Sequence, residues 1–144
     1  MVCFTLSGVS VSEGADKKTI TITSETLTTD NRNSTAIFEG SVVAKTNDIA
    51  FYSDKMIVFY NDAEKNVTKI HATGNVRVHS KERVIFSKEA FYINNEEKIV
   101  FTGNPKAVEE NNVITGTQII YFLKDDRAVV KGSRVILQNK KGLK

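Results

Sequence analysis

From Thr19 onward, apolar and polar side chains alternate along the chain with a period of two. Ile20-Thr21-Ile22-Thr23 and Ala36-Ile37-Phe38-Glu39 show this alternation, which is typical of half-buried β-strands, and no window has the periodicity of a helix. Clusters of Asn, Asp, Glu and Lys separate the strands as turns, at residues 30–33, 46–48, 61–66, 81–82, 94–97, 109–112 and 124–127. The pattern predicts about eight long strands joined by short hairpins into an antiparallel meander.

Small residues recur at fixed intervals within these strands. One series is Gly40, Gly74, Gly103 and Gly132, and a second is Ser24, Ser53, Ser87 and Gly116. The steps from 40 to 53, from 74 to 87 and from 103 to 116 are each 13 residues, and those from 24 to 40, from 87 to 103 and from 116 to 132 are each 16. A unit of 29 residues with two strands therefore recurs about four times, with five extra residues at the turn 61–66.

A small residue inside a strand packs little and commonly marks a bulge or bend. We therefore expect each strand to turn a corner and give one half to each of two facing sheets, about sixteen half-strands in an all-β sandwich or jelly roll. One inner surface is expected to carry Phe38, Val42, Ile70, Ala72, Val76, Val78, Phe101, Ala107, Ala128 and Val130. The other is expected to carry Ile22, Phe51, Ile85 and Ile114 before the corners and Leu27, Met56, Ala90 and Ile119 after them.

The length of 144 residues is that of one domain. Residues 2–11 are fairly apolar, and Ser12-Glu13-Gly14 before Ala15 resembles a signal-peptide cleavage site, although a positively charged start is missing. We interpret residues 1–17 as a leader or signal-peptide remnant that is disordered, 18–139 as the folded body and 140–144 as a basic tail. A leader of this kind favours a cell-envelope location.

Charge and composition exclude several function classes. Twenty Lys and Arg against seventeen Asp and Glu give a net charge of +3 with both signs interspersed, unlike the basic face of a nucleic-acid-binding protein. Cys3 is the sole cysteine, so neither an intrachain disulfide nor a cysteine zinc site is possible. His71 and His79 point away from the inner surface and lack further ligands, so no metal site is expected. No nucleophile set, acid-base pair or phosphate-binding glycine motif is present, so we expect neither an enzyme nor a cofactor.

The two terminal strands predict self-association. A strand array that does not close leaves unpaired backbone groups at both ends, which are templates for strand addition. We expect strand 19–28 of one copy to lie beside strand 127–138 of the next copy, or of a partner with the same fold. Such a head-to-tail contact does not close and gives filaments rather than dimers.

Six segments share their order and spacing with one protein family: Ile22-Thr23-Ser24-Glu25-Thr26-Leu27 with Asp30-Asn31, Thr35-Ala36-Ile37-Phe38-Glu39-Gly40-Ser41-Val42-Val43, Asp48-Ile49-Ala50-Phe51-Tyr52-Ser53-Asp54-Lys55-Met56, Ala72-Thr73-Gly74-Asn75-Val76, Phe101-Thr102-Gly103-Asn104-Pro105 and Ile114-Thr115-Gly116. Through them the chain resembles the OstA-like (LptA) family of lipopolysaccharide-transport proteins over nearly all of residues 19–138. It departs at Ser41, where many members have Asn, and at Ser87-Lys88-Glu89, where an Asp-bearing corner is usual. The resemblance implies an open-ended twisted jelly roll in the periplasm. It also implies that acyl chains of lipid A lie in an apolar trough between the sheets and that copies stack from the inner to the outer membrane, together with inner-membrane anchored and outer-membrane translocon proteins of similar fold.

The inner-face residues are the candidate lipid-binding residues: Phe38, Val42, Phe51, Met56, Val58, Ile70, Val76, Ile85, Tyr92, Phe101, Ile114, Ile119, Tyr121 and Val130. Burial of an alkyl chain is worth about 0.8 kcal/mol per methylene, so a trough needs no special polar residue to hold lipid. The alternative for each residue is an ordinary core position. The rim cations Lys45, Lys55, Arg77, Arg83 and Lys106 are candidates for lipid phosphate contacts or, alternatively, solubilising surface charges.

Other functions stay open at this point. A ligand-free β-repeat module that merely stacks would fill its interior with large side chains. Within the same pathway, the membrane-anchored partner would carry a hydrophobic N-terminal helix, and the N-terminal domain of the outer-membrane translocon would continue into a much longer chain.

Overall fold

The computed structural model describes residues 2–7, 19–61, 63 and 66–137, and it describes side chains from residue 20 onward. These residues form thirteen strands: β1 (Val2–Ser7), β2 (Thr19–Ser24), β3 (Thr26–Asp30), β4 (Thr35–Lys45), β5 (Ile49–Asn61), β6 (Asn66–Ser80), β7 (Arg83–Ile93), β8 (Lys98–Thr102), β9 (Lys106–Glu109), β10 (Asn112–Thr115), β11 (Gln118–Phe122), β12 (Arg127–Lys131) and β13 (Arg134–Ile136). Within the described ranges, no helix is long and apolar enough to cross a membrane.

The strands form two facing layers because each long strand bends at its small residue. The first layer pairs, in order, β2, residues 42–45, 49–53, 76–80 and 83–87 of β4 to β7, then β9, β10 and β13. The second layer pairs β3, residues 35–39, 55–61, 66–73 and 89–93 of the same four strands, then β8, β11 and β12. Each layer thus has eight half-strands, to which β1 adds a ninth strand at the β2 edge of the first layer. All pairings are antiparallel, and the predicted all-β roll of about sixteen half-strands is confirmed.

At the corners of Gly40 and Gly74, the glycine and the residue after it both have positive φ, and the glycine has no room for a side chain. Gly40 and Ser41 have φ of 91° and 47°, and Gly74 and Asn75 have φ of 84° and 47°. The pairing register of β4 with β5 shifts between Glu39 and Val42. A Cβ on Gly40 would lie 2.6 Å from Glu25 Oε1, because the Glu25 side chain crosses directly over the glycine of the next strand. The same arrangement recurs one repeat later, which explains the conserved spacing within the chain.

The serine corners are closed by a local hydrogen bond. The hydroxyls of Ser24, Ser53 and Ser87 donate to the carbonyl oxygen two residues further on, at 2.8, 3.0 and 3.0 Å. Ser24 and Ser53 are buried, so this bond satisfies a polar group that would otherwise be costly between the layers. Serine at these corners therefore combines a small volume with its own hydrogen-bond partner.

The core lies between the two layers, where the inner faces meet. Its largest fully buried side chains include Phe38, Phe101, Met56, Ile119 and Ile22. The predicted division into two inner surfaces is wrong, because residues of one predicted set lie in both layers: Val42 pairs within the first layer and Phe38 within the second. The inward direction of the predicted residues is confirmed, with one exception. Ala128 is exposed, because β12 is the last strand of its layer and no further strand within the described residues covers it.

The N-terminal end differs from the prediction. Val2–Ser7, a segment expected to be a disordered leader, forms β1 and pairs with β2 from Val2 opposite Ser24 to Ser7 opposite Thr19. The predicted open edge over 19–28 is therefore open only at β3, because β2 has β1 on one side and β4 on the other. Residues 8–18 and the predicted basic tail 140–144 lie outside the described residues.

Candidate functional site

The fourteen predicted lipid-binding residues come together in one cluster between the layers. Eleven are buried and three, Tyr92, Ile114 and Val130, pack against the cluster while partly buried. The alternation along each strand was sufficient to place them, because successive side chains of a strand point to opposite faces. Whether they contact a ligand stays a prediction.

A cavity of about 990 Å³ lies between the layers, at the side away from the corners. Among the fourteen residues, only Phe51, Ile70, Tyr92 and Tyr121 line it, while the other ten form the packed core beneath. Its volume falls in the range of small-molecule pockets. The structure thus separates the predicted trough into a floor that is already filled and an upper part with free space.

Five further apolar residues line this cavity and were not among the fourteen predicted from the sequence: Ile20, Ala44, Ile49, Ile99 and Leu123. Each lies two positions beyond a predicted inner residue, as Ile20 does before Ile22 and Leu123 after Tyr121. The alternation, followed to the last residue of each half-strand, would have found them.

Polar turn residues surround the cavity on two lips. The first lip is formed by the turns 46–48 and 81–82 of the first layer, and the second by the turns 94–97 and 123–126 of the second layer. Asp48 and Lys81 line the cavity from the first lip, and Glu97, Lys124 and Asp126 from the second. The lips therefore carry both signs of charge above an apolar interior.

A polar clasp, formed by Ser80, Lys81, Arg83, Tyr121 and Asp126, joins the two lips. Ser80 Oγ lies 3.1 Å from Tyr121 Oη, and the Tyr121 hydroxyl donates to Asp126 Oδ1 at 2.5 Å. Lys81 Nζ lies 3.5 Å from Asp126 Oδ2, and Arg83 Nη1 lies 3.9 Å from Asp126 Oδ1. Since Ser80 and Tyr121 belong to different layers and both are buried, the clasp closes one end of the cavity across the gap between the layers.

The clasp shifts the ionisation of its members. Burial raises the pKa of the Tyr121 hydroxyl, and its hydrogen bond to Asp126 raises it further. The pKa of Asp126 is lowered, chiefly by the hydrogen bond from Tyr121 and then by the nearby charges of Lys81 and Arg83. At neutral pH the clasp therefore consists of a neutral tyrosine and a carboxylate.

The predicted rim cations lie elsewhere, except Arg83. The Arg77 guanidinium lies 4.3 Å from the centre of the Tyr52 ring, and Lys106 Nζ lies 5.4 Å from that of Phe86, both on outward-facing strand positions. Arg83 instead stacks at 5.5 Å over Tyr121 and pairs with Glu109. The cations that line the cavity are Lys81 and Lys124, which lie in turns and break the strand alternation used to choose the rim.

The histidines lie outside this site. His71 Nε2 is 2.8 Å from Glu89 Oε2, and the imidazole stacks on the Phe91 ring at 4.3 Å between centroids. The ring of His79 meets Tyr52 edge to face. No group of three His, Cys, Asp or Glu side chains able to hold a metal ion occurs among the residues with described side chains.

Comparison with known proteins identifies the family. Residues 21–127 match the family described as LptA/(LptD N-terminal domain) LPS transport protein. No curated protein matches. Among solved structures, the chain is similar to LptH, the LptA-homologous periplasmic component of the lipopolysaccharide transport device of Pseudomonas aeruginosa, with a TM-score of 0.74 and 14% sequence identity over 83% of this chain and 95% of that one. The fold is thus the twisted β-jelly roll of that structure, and the family match covers well over half of the sequence. The chain belongs to the LptA/LptD N-terminal domain family of LPS transport proteins.

Proposed function

We propose that this protein binds the acyl chains of lipid A between its two layers and carries lipopolysaccharide through the periplasm, from the inner to the outer membrane. The observation that carries the proposal is the apolar cavity of about 990 Å³ between the layers of a chain from a family of LPS transport proteins. Membership of a transport family also means that the chain is not an enzyme, as the sequence predicted.

The arrangement of the cavity suits an amphipathic ligand. Its walls at Phe51, Ile70 and Ile99 are apolar, so each methylene placed there gains about 0.8 kcal/mol from leaving water. The charged lips lie where the headgroup of such a lipid would leave the cavity. Phe38 and Phe101 are fully buried in the packed floor, so chains that reach them require the layers to separate.

The bridge is the second part of the proposal. The terminal strands β3, β12 and β13 each pair on one side only within the described residues. Such edges accept a further strand from a second copy, or from inner-membrane anchored and outer-membrane translocon proteins with a similar roll. Stacking through them would align the cavities of successive copies into a continuous path for lipid.

Photocrosslinking to lipopolysaccharide tests the lipid site. A photoreactive phenylalanine analogue replaces Phe51, Ile70 or Tyr92, which line the cavity, and the matched controls replace Glu39 and Arg77, which are exposed on the outer face. We expect crosslinks at the three cavity positions and none at the controls. Equal crosslinking at Glu39 and Arg77, or no crosslink at any position of a folded protein, would contradict the proposal and leave a ligand-free stacking module.

The same experiment at Phe38 and Phe101 measures how far lipid enters. Both side chains are fully buried in the packed floor. Crosslinks there show that the layers separate to admit the chains, whereas crosslinks confined to Phe51, Ile70 and Tyr92 show that lipid occupies the upper cavity alone.

A further inference from the structure

Without β1, the two ends of the roll are complementary. At the N-terminal end, β2 and β3 are the two halves of one bent strand, one in each layer, and at the C-terminal end β13 and β12 are likewise the two halves of one strand. At both ends the two layers are therefore flush, meaning that they end at the same position along the roll, because every half-strand of one layer has a counterpart in the other. β1 is the exception among the described strands: it extends the first layer and nothing extends the second.

Strand direction adds a second constraint. Each layer has eight half-strands in antiparallel order, so the last runs opposite to the first, and β13 of one copy would lie antiparallel to β2 of the next. β1 is also antiparallel to β2 and therefore runs in the direction of β13. An incoming β13 would meet β1 as a parallel neighbour, in a meander that is otherwise wholly antiparallel.

Spacing adds a third constraint. Neighbouring strands lie about 4.8 Å apart, so β1 moves the edge of the first layer outward by about that distance while β3 stays in place. A second copy could then contact either β1 or β3, but it could not continue both layers in register. The C-terminal end exposes three apolar side chains that a second copy would cover: Val135 is 50% exposed, Ile136 41% and Leu137 62%.

We infer that β1 is an intramolecular plug, which occupies the edge of β2 in place of β13 from a second copy and blocks head-to-tail stacking until it leaves. The inference rests on the proposed bridge, and it adds the step that makes the bridge conditional. Removal of residues 1–17 as a leader, or displacement of β1 by the incoming strand, would make the N-terminal end flush and competent to stack.

A disulfide lock in the full chain tests the plug. Cys3, the sole cysteine, lies directly opposite Thr23 in the backbone register of the β1–β2 pair, and the Cα atoms of opposite residues in such a pair are about 4.5–5.5 Å apart. Thr23→Cys therefore gives a pair of cysteines with the backbone spacing that a disulfide needs. Thr21→Cys is the matched control, because Thr21 lies opposite Thr5 and not opposite Cys3. A third variant, Phe4→Pro with Thr5→Pro, prevents β1 from pairing, because proline cannot donate to the ladder. Molar mass is measured by sedimentation velocity over a series of concentrations.

We expect the oxidised Thr23→Cys protein to stay monomeric at every concentration. The molar mass of the proline variant should rise to that of a dimer and then a trimer as its concentration increases. A further Ile136→Pro substitution in β13 should return it to the mass of a monomer. That last step separates edge-to-edge stacking from unspecific aggregation of a released apolar segment. The Thr21→Cys control should respond to neither oxidation nor reduction.

Three results would overturn the plug. Stacking of the oxidised Thr23→Cys protein as strong as that of the proline variant would show that β1 is no obstacle, while the bridge itself stands. A disulfide that forms between chains rather than within one would show that β1 belongs to a neighbouring copy. A proline variant that stays monomeric would refute the plug, and the crosslinks at Phe51, Ile70 and Tyr92 would then decide separately whether the lipid-binding proposal survives.

Discussion

Both ends of the roll have one terminal half-strand in each layer, but only the N-terminal end has a further strand, β1, beside one of them. In the first layer, the N-terminal half-strand β2 has neighbours on both sides, and Ile22 and Ser24 within it are fully buried. The C-terminal half-strand β13 of the same layer has a neighbour on one side, and all three of its residues are exposed. The difference shows that burial at a strand end is set by what covers the edge, since both half-strands carry apolar residues.

This contrast matters for a chain that is built from repeats. In the interior of the roll each half-strand is covered by the next, so a repeat need not satisfy its own edges. Only the terminal half-strands expose backbone groups and apolar side chains, and these are the places where a second copy gains most by binding. A covered end cannot pair with a second copy, whereas an open end leaves apolar side chains in contact with water.

The sharpest test of the contrast compares one apolar residue from each end. Ile22→Ala should lower the free energy of unfolding by about 4 kcal/mol, because it removes three buried carbon atoms from a site that is 0% exposed. Val135→Ala, at 50% exposure, should lower it by less than about 0.5 kcal/mol. Urea unfolding with an unchanged slope measures both. Similar losses for the two variants would mean that the ends are equally covered in solution.

The corners offer a second comparison between the ends. Gly40→Ala should lower the free energy of unfolding by about 2–3 kcal/mol, because a residue with a side chain is strained at a φ of 91°. The new Cβ would also lie 2.8 Å from the Cβ of Glu25, which cannot move without the backbone. Gly132→Ala should cost about 1 kcal/mol, since its φ of 62° is the ordinary left-handed region and its nearest neighbours are Thr117 side-chain atoms at 3.1 Å. The midpoints of urea unfolding give the order. A larger loss at Gly132 would show that the C-terminal corner is the tighter one.

The fold could be predicted from the sequence because its signals are local and repeated. Strand alternation and the small residues from Ser24 to Gly132 sufficed to place eight corners, eight bent strands and the inward direction of their apolar side chains. They did not show to which layer each residue belongs, because the corner moves the strand from one layer to the other. The pairing of β1 could not be predicted, because residues 2–7 resemble a leader in composition and only the free edge of β2 makes them a strand. Ala128 was wrongly predicted to lie on an inner surface, because strand alternation gives the direction of a side chain but not whether a neighbouring strand covers it.

The packed floor of the candidate site could be predicted from the sequence, but the contacts between its two lips could not. Period two identifies inward-facing positions within strands, so the fourteen predicted residues do lie together in the core, although only four of them line the cavity. The clasp depends on Lys81 and Asp126, which lie in turns and meet only because the two layers bring their lips together. Tyr121 was predicted as an inner-face residue, and the contacts of its hydroxyl within the clasp carried no sequence signal.

The smallest expected effect concerns two turn aspartates, Asp30 near the N-terminal end and Asp126 near the C-terminal end, whose pKa values are both lowered. Asn33 lowers the pKa of Asp30, first through its side-chain amide, which donates at 2.7 Å. Tyr121, in the strand that leads into the turn of Asp126, lowers the pKa of Asp126. A lowered folded-state pKa means that each carboxylate stabilises the fold above its ordinary pKa and that this contribution is lost as pH falls through the lowered value.

Tyr121→Phe should raise the pKa of Asp126 part of the way to its ordinary value, because the charges of Lys81 and Arg83 remain, and it should leave that of Asp30 unchanged. Asn33→Ala should do the reverse. NMR titration of the two side-chain carboxyl carbons measures both values in each variant. If Tyr121→Phe leaves the Asp126 titration in place, the tyrosine hydroxyl does not hold that carboxylate in solution. The N-terminal aspartate serves as the internal reference, because its partner Asn33 lies three residues away in the same turn and its hydrogen bonds do not involve Tyr121.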